Sequence, residues 1–328
     1  GLGQVSDEAI RRELDQFRSR TVSAIEAREQ MALSIAQTTA AIPAVRSAMQ
    51  SGDRAALEAL FVPNFEALAA ETGIAQFQFH TPGAVSVLRV HKPEKYGDDL
   101  SGFRQTVVEA NAERAPVAGL ERGRAGVGIR GISPVGEGGE HFGTVEIGLK
   151  LDESVLAEVT GDSEARIELY LIPDGDIAVF SQDDTAIQRM TGNYGGPALL
   201  TGSEVRAFLD SGAGSGQRYD LDGATYAGRI FEIRDFSGNT VAVANAFVPL
   251  ASITAITETI TVTAFIAAAV ALVAAGIMAV VMGRWLVGML SQMSARLKSL
   301  SEGQSDVPLD DLPQTGEFGA MTASLSVF

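Results

Sequence analysis

TITVTAFIAAAVALVAAGIMAVVM, from Thr259 to Met282, runs for 24 residues without a charge. At 1.5 Å of rise per residue a helix of this length spans about 36 Å, more than the ~30 Å hydrocarbon core of a bilayer. Glu258 bounds it on one side, and Arg284, Trp285, Arg296 and Lys298 follow on the other. Lys and Arg accumulate on the cytoplasmic side and Trp favours the interface, so the stretch predicts a membrane helix whose C-terminal end faces the cytosol. A buried core helix rarely stays uncharged for so long.

The rest of the chain divides around that helix. The net charge is −16. Only three basic and five acidic residues follow Met282, so the preceding part carries −14. Such a balance repels phosphate backbones and argues against a nucleic-acid partner. There is no cysteine, which excludes disulfides and thiol or zinc-thiolate chemistry. An outer region of ~250 residues can bury a core without cross-links. The sequence starts at Gly1 without a signal peptide and stops at Phe328 within a helical pattern, so a first membrane helix is expected just before Gly1.

The outer region reads in order as follows. From Asp7 to about Thr39 no Pro or Gly interrupts a helical pattern, with Ser6 as N-cap. Ile10, Leu14, Phe17, Thr21, Ala24, Arg28, Met31 and Ile35 form a stripe at alternating steps of four and three, read here as a dimer seam in preference to a packed surface. Helices follow from Pro43, holding Val45 and Met49, and from Arg54 to Thr72. Period two then takes over. Ile74 to His80 and Val85 to Val90 flank Thr81-Pro82-Gly83 and predict a hairpin. Asp98 to Asn111 reads as helical, and Gly126–Pro134 and Gly143–Leu151 as two strands joined by a Gly-rich turn. A second unit repeats the plan: a helix over 152–159, strands over 165–172 and 177–181, a loop-rich middle, and closing strands over 217–221, 224–233 and 241–248.

The run Arg89-Val90-His91-Lys92-Pro93-Glu94-Lys95-Tyr96-Gly97-Asp98-Asp99-Leu100, with Gly128-Ile129-Arg130-Gly131 and Gly143-Thr144-Val145-Glu146-Ile147-Gly148, resembles the double Cache sensor of bacterial transmembrane receptors, over roughly Ser6 to Leu250. The resemblance implies an α+β fold: a long N-terminal helix carrying two PAS-like α/β modules with antiparallel sheets, one distal and one proximal to the membrane. The expected division is 1–40 for the dimerisation helix, 41–151 and 152–255 for the distal and proximal modules, 256–283 for the membrane helix and 284–328 for a linker. In that linker Leu286, Leu290, Met293, Leu297 and Leu300 form a heptad seam that Gly303 ends. Val307, Leu309 and Leu312 lie in a connector with Pro308 and Pro313, and Phe318, Met321, Leu325 and Phe328 resume the seam. This pair of helices is similar to a HAMP linker, with Glu317-Phe318-Gly319 at the start of its second helix. That similarity implies a parallel coiled-coil pair in a homodimer.

Catalytic signatures are lacking. None of His80, His91 and His141 belongs to a metal-ligand pattern, and no cofactor is expected. Gly126-Val127-Gly128-Ile129-Arg130-Gly131 fits G-x-G-x-x-G, but strand and turn residues follow it where a dinucleotide site needs a helix.

In a PAS-like module the ligand lies between the sheet and the loops covering it. Alternation sends Arg89 and His91 to one face, and Arg130 comes from a later strand. The R-x-H-x-P run resembles citrate-type single Cache sensors, which use basic residues on matching strands to hold carboxylates. Two guanidinium forks and an imidazole make a carboxylate clamp, with Tyr96, Gln78 and Ser86 as neutral hydrogen-bonding groups. Against it stands an internal role, in which Arg89 and His91 pair with Asp98, Asp99 or Glu146. If those acids face the pocket instead, the ligand is an amine or amino acid.

The expectation is therefore a periplasmic sensor in the bacterial inner membrane, binding a small molecule and signalling through a HAMP linker to a cytoplasmic methyl-accepting domain and its kinase. A sensor histidine kinase or nucleotide cyclase with the same input is the alternative, and an adhesion or scaffold ectodomain the third.

Overall fold

The computed structural model describes residues 2–123, 126–173, 187–212, 215–303, 319 and 323–324, with the backbone alone for 2–6, 215, 216, 252–262, 264 and 300. The expected strand over 177–181, the connector and the second linker helix lie outside the described residues.

Helix α1 (Leu2–Ala40) is continuous for 39 residues. It starts before Asp7, so Ser6 lies within it and not at its N-cap position. Leu14, Phe17, Thr21 and Ala24 are buried, and Thr21 satisfies its hydroxyl on the Phe17 carbonyl at 2.8 Å. Leu14, Phe17 and Ala24 belong to one core with both sheets of the same chain, so this part of the stripe packs on the chain's own sheets and not on a second copy. Further along, the buried positions are Ile25, Ala32, Ala36 and Ala40, while Met31 is exposed and Arg28 pairs with Glu158 at 3.1 Å. The stripe drifts because a straight helix repeats every 3.6 residues, not every 3.5.

After α2 (Pro43–Ser51) the predicted helix Arg54–Thr72 is two helices, α3 (Arg54–Phe61) and α4 (Phe65–Thr72), joined by a 3₁₀ turn over Val62–Asn64. Pro63 is the cause, since it has no N–H to continue the ladder. The first sheet follows: β1 (Ile74–His80), β2 (Ser86–Arg89), then helix α5 (Gln105–Glu113), β3 (Val117–Gly123), β4 (Gly126–Glu137) and β5 (Glu140–Lys150). Its order is β2-β1-β5-β4-β3, antiparallel throughout. The predicted β1–β2 and β4–β5 hairpins are present. The latter turns on Gly138 and Gly139, whose φ values of 61° and 89° suit the primed turns of tight hairpins. Helix begins only at Gln105, not at Asp98.

The second unit has α6 (Glu153–Thr160), β6 (Arg166–Leu171), β7 (Gln188–Gly192), α7 (Gly202–Ser211), β8 (Ser215–Leu221), β9 (Ala224–Arg234) and β10 (Thr240–Pro249). Its sheet order, β7-β6-β10-β9-β8, matches the first sheet strand for strand. β10 runs directly into α8 (Leu250–Ser301), an unbroken helix of 52 residues. Its segment Phe265–Ser299, which contains an 18-residue stretch of mean hydropathy 2.7, is long and apolar enough to cross a membrane. Of the predicted seam on α8, Met293 is buried, together with Met289, while Leu290 and Leu297 are about half exposed.

In the first sheet alternation separates two chemistries. Phe77, Phe79, Val145, Ile147 and Ile129 join the core shared with α1. Gln76, Gln78 and His80 take the opposite face, beside their cross-strand partners Thr144, Glu146 and Gly148. On the apolar face α1 touches β4 backbone to backbone: a Cβ added at Gly131 would lie 2.1 Å from the Leu33 nitrogen. Ala32 and Ala36 are the small residues that allow this approach.

Candidate functional site

The polar face of the first sheet is built around Arg130. Its guanidinium lies across the sheet over three glycines. A Cβ at Gly148 would meet Nη1 at 2.3 Å, one at Gly128 would meet Nη2 at 3.0 Å, and one at Gly123 would meet Nη2 at 3.5 Å. The G-x-G-x-x-G run thus has a structural meaning: Gly128 leaves room for the arginine and Gly131 for α1. Arg130 donates to the Gln76 amide oxygen and lies 3.3 Å from Glu146 Oε1. Its Nε has no hydrogen-bond partner.

Beside it, Arg104 bridges two buried carboxylates, giving Nε to Glu121 and Nη2 to Glu146 at 2.7 Å each. Thr106 completes Glu121 with its backbone N–H at 2.8 Å and its hydroxyl at 2.6 Å. Burial opposes every charge here, and the neighbours decide the outcome. Burial alone would raise Glu146, but Arg104, Arg130 and His80 hold it down at about 2. Burial and the adjacent Arg104 bring Arg130 down to about 10. Burial would lower Arg104 too, but Glu146 and Glu121 raise it above its ordinary value. Burial pushes His80 down to about 4, so it is neutral at pH 7, with Nδ1 3.1 Å from Thr144 Oγ1.

A cavity of about 430 Å³ opens over this floor. Gln76, Gln78, Arg104 and Arg130 line it from below, and Arg89, His91, Tyr96 and Asp98 from the covering loop. The predicted residues Arg89, His91, Arg130, Tyr96 and Gln78 therefore meet at one site, as does the alternative Asp98. Ser86 and Glu146 are buried beneath it, outside the lining. Asp99 points away and accepts the Ser101 backbone N–H at 2.8 Å.

Arg89 is held by Asp98 through both fork nitrogens, at 2.6 and 2.7 Å, and also donates to the Lys95 carbonyl at 2.9 Å. His91 sets Nδ1 against the Phe77 backbone, 3.2 Å from its nitrogen and 3.3 Å from its oxygen. Burial lowers its pKa. Tyr96 is largely exposed, with the Arg54 guanidinium 4.0 Å from its ring centroid. Sequence reasoning missed Arg104 and Glu121. The available signal was Glu121-Arg122, two charges within a strand that is buried along most of its length.

Residues 8–252 match the family model described as a double sensory domain of two-component sensor kinases, dCache_3. The chain belongs to this double Cache family. No curated protein matches it. Among solved structures, the sensory domain of the Campylobacter jejuni chemoreceptor Tlp3 with isoleucine bound is 12% identical, with a TM-score of 0.45 over 77% of this chain and 97% of that one. The sensor domain of E. coli DcuS is 18% identical, with a TM-score of 0.36 over 42% of this chain and 98% of that one. Neither likeness carries a ligand or an output over to this chain.

The two modules of this double Cache domain can be compared position by position. Gln78 pairs with Glu146, and Arg130 with Gly148. On the matching strands of the second sheet Glu168 pairs with Asn245, and Gly228 with Phe247. Where the first module has Arg130 over glycine, the second has a glycine and a phenyl ring. The rings of Tyr194, Tyr219 and Tyr226 lie 5.6–5.7 Å from that of Phe247. Glu168 is buried and already engaged, accepting from the Tyr170 hydroxyl at 2.6 Å and from Arg189 at 3.3 Å. Its partners are internal, but among the described residues Asn245 opposite it keeps both side-chain polar atoms unpartnered, as the floor of the first module keeps Arg130 Nε and Gln78 Oε1.

Proposed function

We propose that this chain is the input part of a transmembrane receptor whose first module takes a small molecule bearing a carboxylate. The observation that supports it is Arg130, a buried guanidinium that donates to one neutral acceptor, lies 3.3 Å from Glu146 and, among the described residues, keeps an unpartnered Nε at the floor of a cavity of ligand size. A carboxylate would supply the missing charge-assisted hydrogen bond. Arg89 acts in this reading as a clasp: its fork with Asp98 ties the covering loop shut. The second reading, an amino acid or amine, is favoured by Asp98 at the cavity wall and by the unpartnered acceptors Gln78 Oε1 and Glu146 Oε2.

α8 crosses the inner membrane with its C-terminal end in the cytosol, where a HAMP-like linker passes the signal to an output domain. Homodimerisation through that linker fits its heptad seam. The output is a methyl-accepting chemotaxis domain, with a sensor kinase or cyclase on the same input as the alternative, whichever ligand the cavity takes. A heptad hairpin with Glu/Gln methylation sites, or a His-bearing dimerisation helix, distinguishes them.

The test is a thermal-shift panel of succinate, citrate, L-alanine and ethanolamine on the full chain. A ligand at 100 times its Kd stabilises the folded state by about 2.7 kcal/mol, roughly 5–10 °C for a domain of this size. Succinate or citrate should raise the Tm, and Arg130→Gln should abolish the shift. Stabilisation by ethanolamine or L-alanine alone, lost on Asp98→Asn, would favour the second reading. A carboxylate shift untouched by Arg130→Gln would sink the first.

A further inference from the structure

The two modules meet at a contact with consequences for both. Asp235–Asn239, the turn between β9 and β10, belongs to the second module. It is stiffened by Asp235, whose carboxylate accepts the backbone N–H groups of Ser237 and Asn239 at 2.9 Å each. Phe236, on this turn, leaves its own module. Its N–H donates to the Leu120 carbonyl on edge strand β3 at 2.8 Å. Its side chain packs on a small cluster of the first module: Val107 and Ala110 of α5, Val117 of β3 and Ile132 of β4. Gly119 makes the approach possible, since a Cβ there would sit 2.9 Å from that of Phe236. Arg122, three residues on, reaches the carbonyls of Ile172 and Val241 in the second module.

We infer that Phe236 is a latch through which the state of the first module's cavity is read by β10 and hence by α8. The chain of contacts is short. Leu120, which accepts from Phe236, is adjacent to Glu121, which binds Arg104 of the cavity floor. Thr106, which also binds Glu121, lies in the first turn of α5, and Val107 beside it packs in the Phe236 cluster. A change in the Arg104–Glu121 pair therefore acts at once on β3 and α5, the two surfaces that hold Phe236. Four residues after Phe236 begins β10, which enters α8 without a break. That a ligand is what changes the pair rests on the function proposed above; the latch itself does not.

The experiment follows hydrogen exchange over residues 240–255 of the full chain in lipid nanodiscs, in a cycle of wild type, Glu121→Gln, Phe236→Ala and the double variant. Glu121→Gln should raise exchange there about tenfold, within the usual range of coupling between sites. In the Phe236→Ala background the same change should do so by less than twofold. Should Phe236→Ala fail to fold, Phe236→Leu keeps an apolar side chain in the cluster and removes the ring. Equal effects of Glu121→Gln in both backgrounds would show that Phe236 does not carry the signal and overturn the latch. No effect in either background would overturn it as well. Adding succinate separates the two proposals. Silence to succinate with a positive cycle leaves the latch standing and the carboxylate reading refuted. A succinate response identical with and without Phe236 does the reverse.

Discussion

Arg130 shows how residues that contribute nothing chemically can decide a site's chemistry. Its guanidinium lies flat because Gly128 and Gly148 leave the space, so Gly148→Ala, with its Cβ 2.3 Å from Nη1, must lift it. Overpacking of this kind costs about 1–3 kcal/mol. The expected result is a folded chain that has lost the thermal shift of the panel's best carboxylate. His80 gives a second prediction. Burial holds it at about 4, below its ordinary value, so the unfolded chain binds a proton between pH 6.5 and 4 that the folded chain does not. Its contribution is whole above pH 6.5 and is lost as pH falls towards 4, by up to roughly 3 kcal/mol. His80→Gln should flatten the fall in Tm across that window; an unchanged slope would place the loss elsewhere. Alternation alone brought Arg89, His91 and Arg130 to one cavity on paper. It could not show that Asp98 already holds Arg89, because that contact depends on how the loop folds back. Nor could it reveal Arg104, which no strand carries.

The elements that sequence made legible are those whose period is clean. Ala75–His80 alternates without exception, and its hairpin was readable to within a residue or two. β3 was not, because Glu121 and Arg122 are both buried and charged: the strand sits between a polar cavity and a module junction, so neither face is solvent. α7 carried a readable sign, the capping box of Thr201 and Glu204, obscured by the glycines around it. The stripe on α1 was seen, but its partner was misjudged: α1 lies on the chain's own sheets. Gly131→Ala tests that contact, since the new methyl would press on the backbone of Leu33, which has no side-chain freedom to yield. We expect a loss of at least about 3 kcal/mol, read as a lowered midpoint in urea unfolding. A loss below ~1 kcal/mol would mean that helix and strand can part there without harm.

For the whole molecule, the division into a sensory region and, among the described residues, one apolar helix long enough to span a bilayer was legible from hydropathy and the absence of charge. Insertion of α8 predicts that Ala271→Arg, at an added cost of about 2.5–3.5 kcal/mol near the bilayer centre, shifts the chain from the carbonate-resistant membrane fraction towards the extractable one. Equal extraction of both proteins would count against a span. The matching strand order of the two sheets has a consequence of another kind. Two sheets of one strand order give a single chain two separate frames on which a polar floor can be written. On the strands where the first frame pairs Arg130 with Gly148, the one that runs into α8 pairs Gly228 with Phe247. The frames are thus interchangeable in outline and not in content: Gly228→Arg with Phe247→Gly would copy the guanidinium and its glycine bed from one to the other.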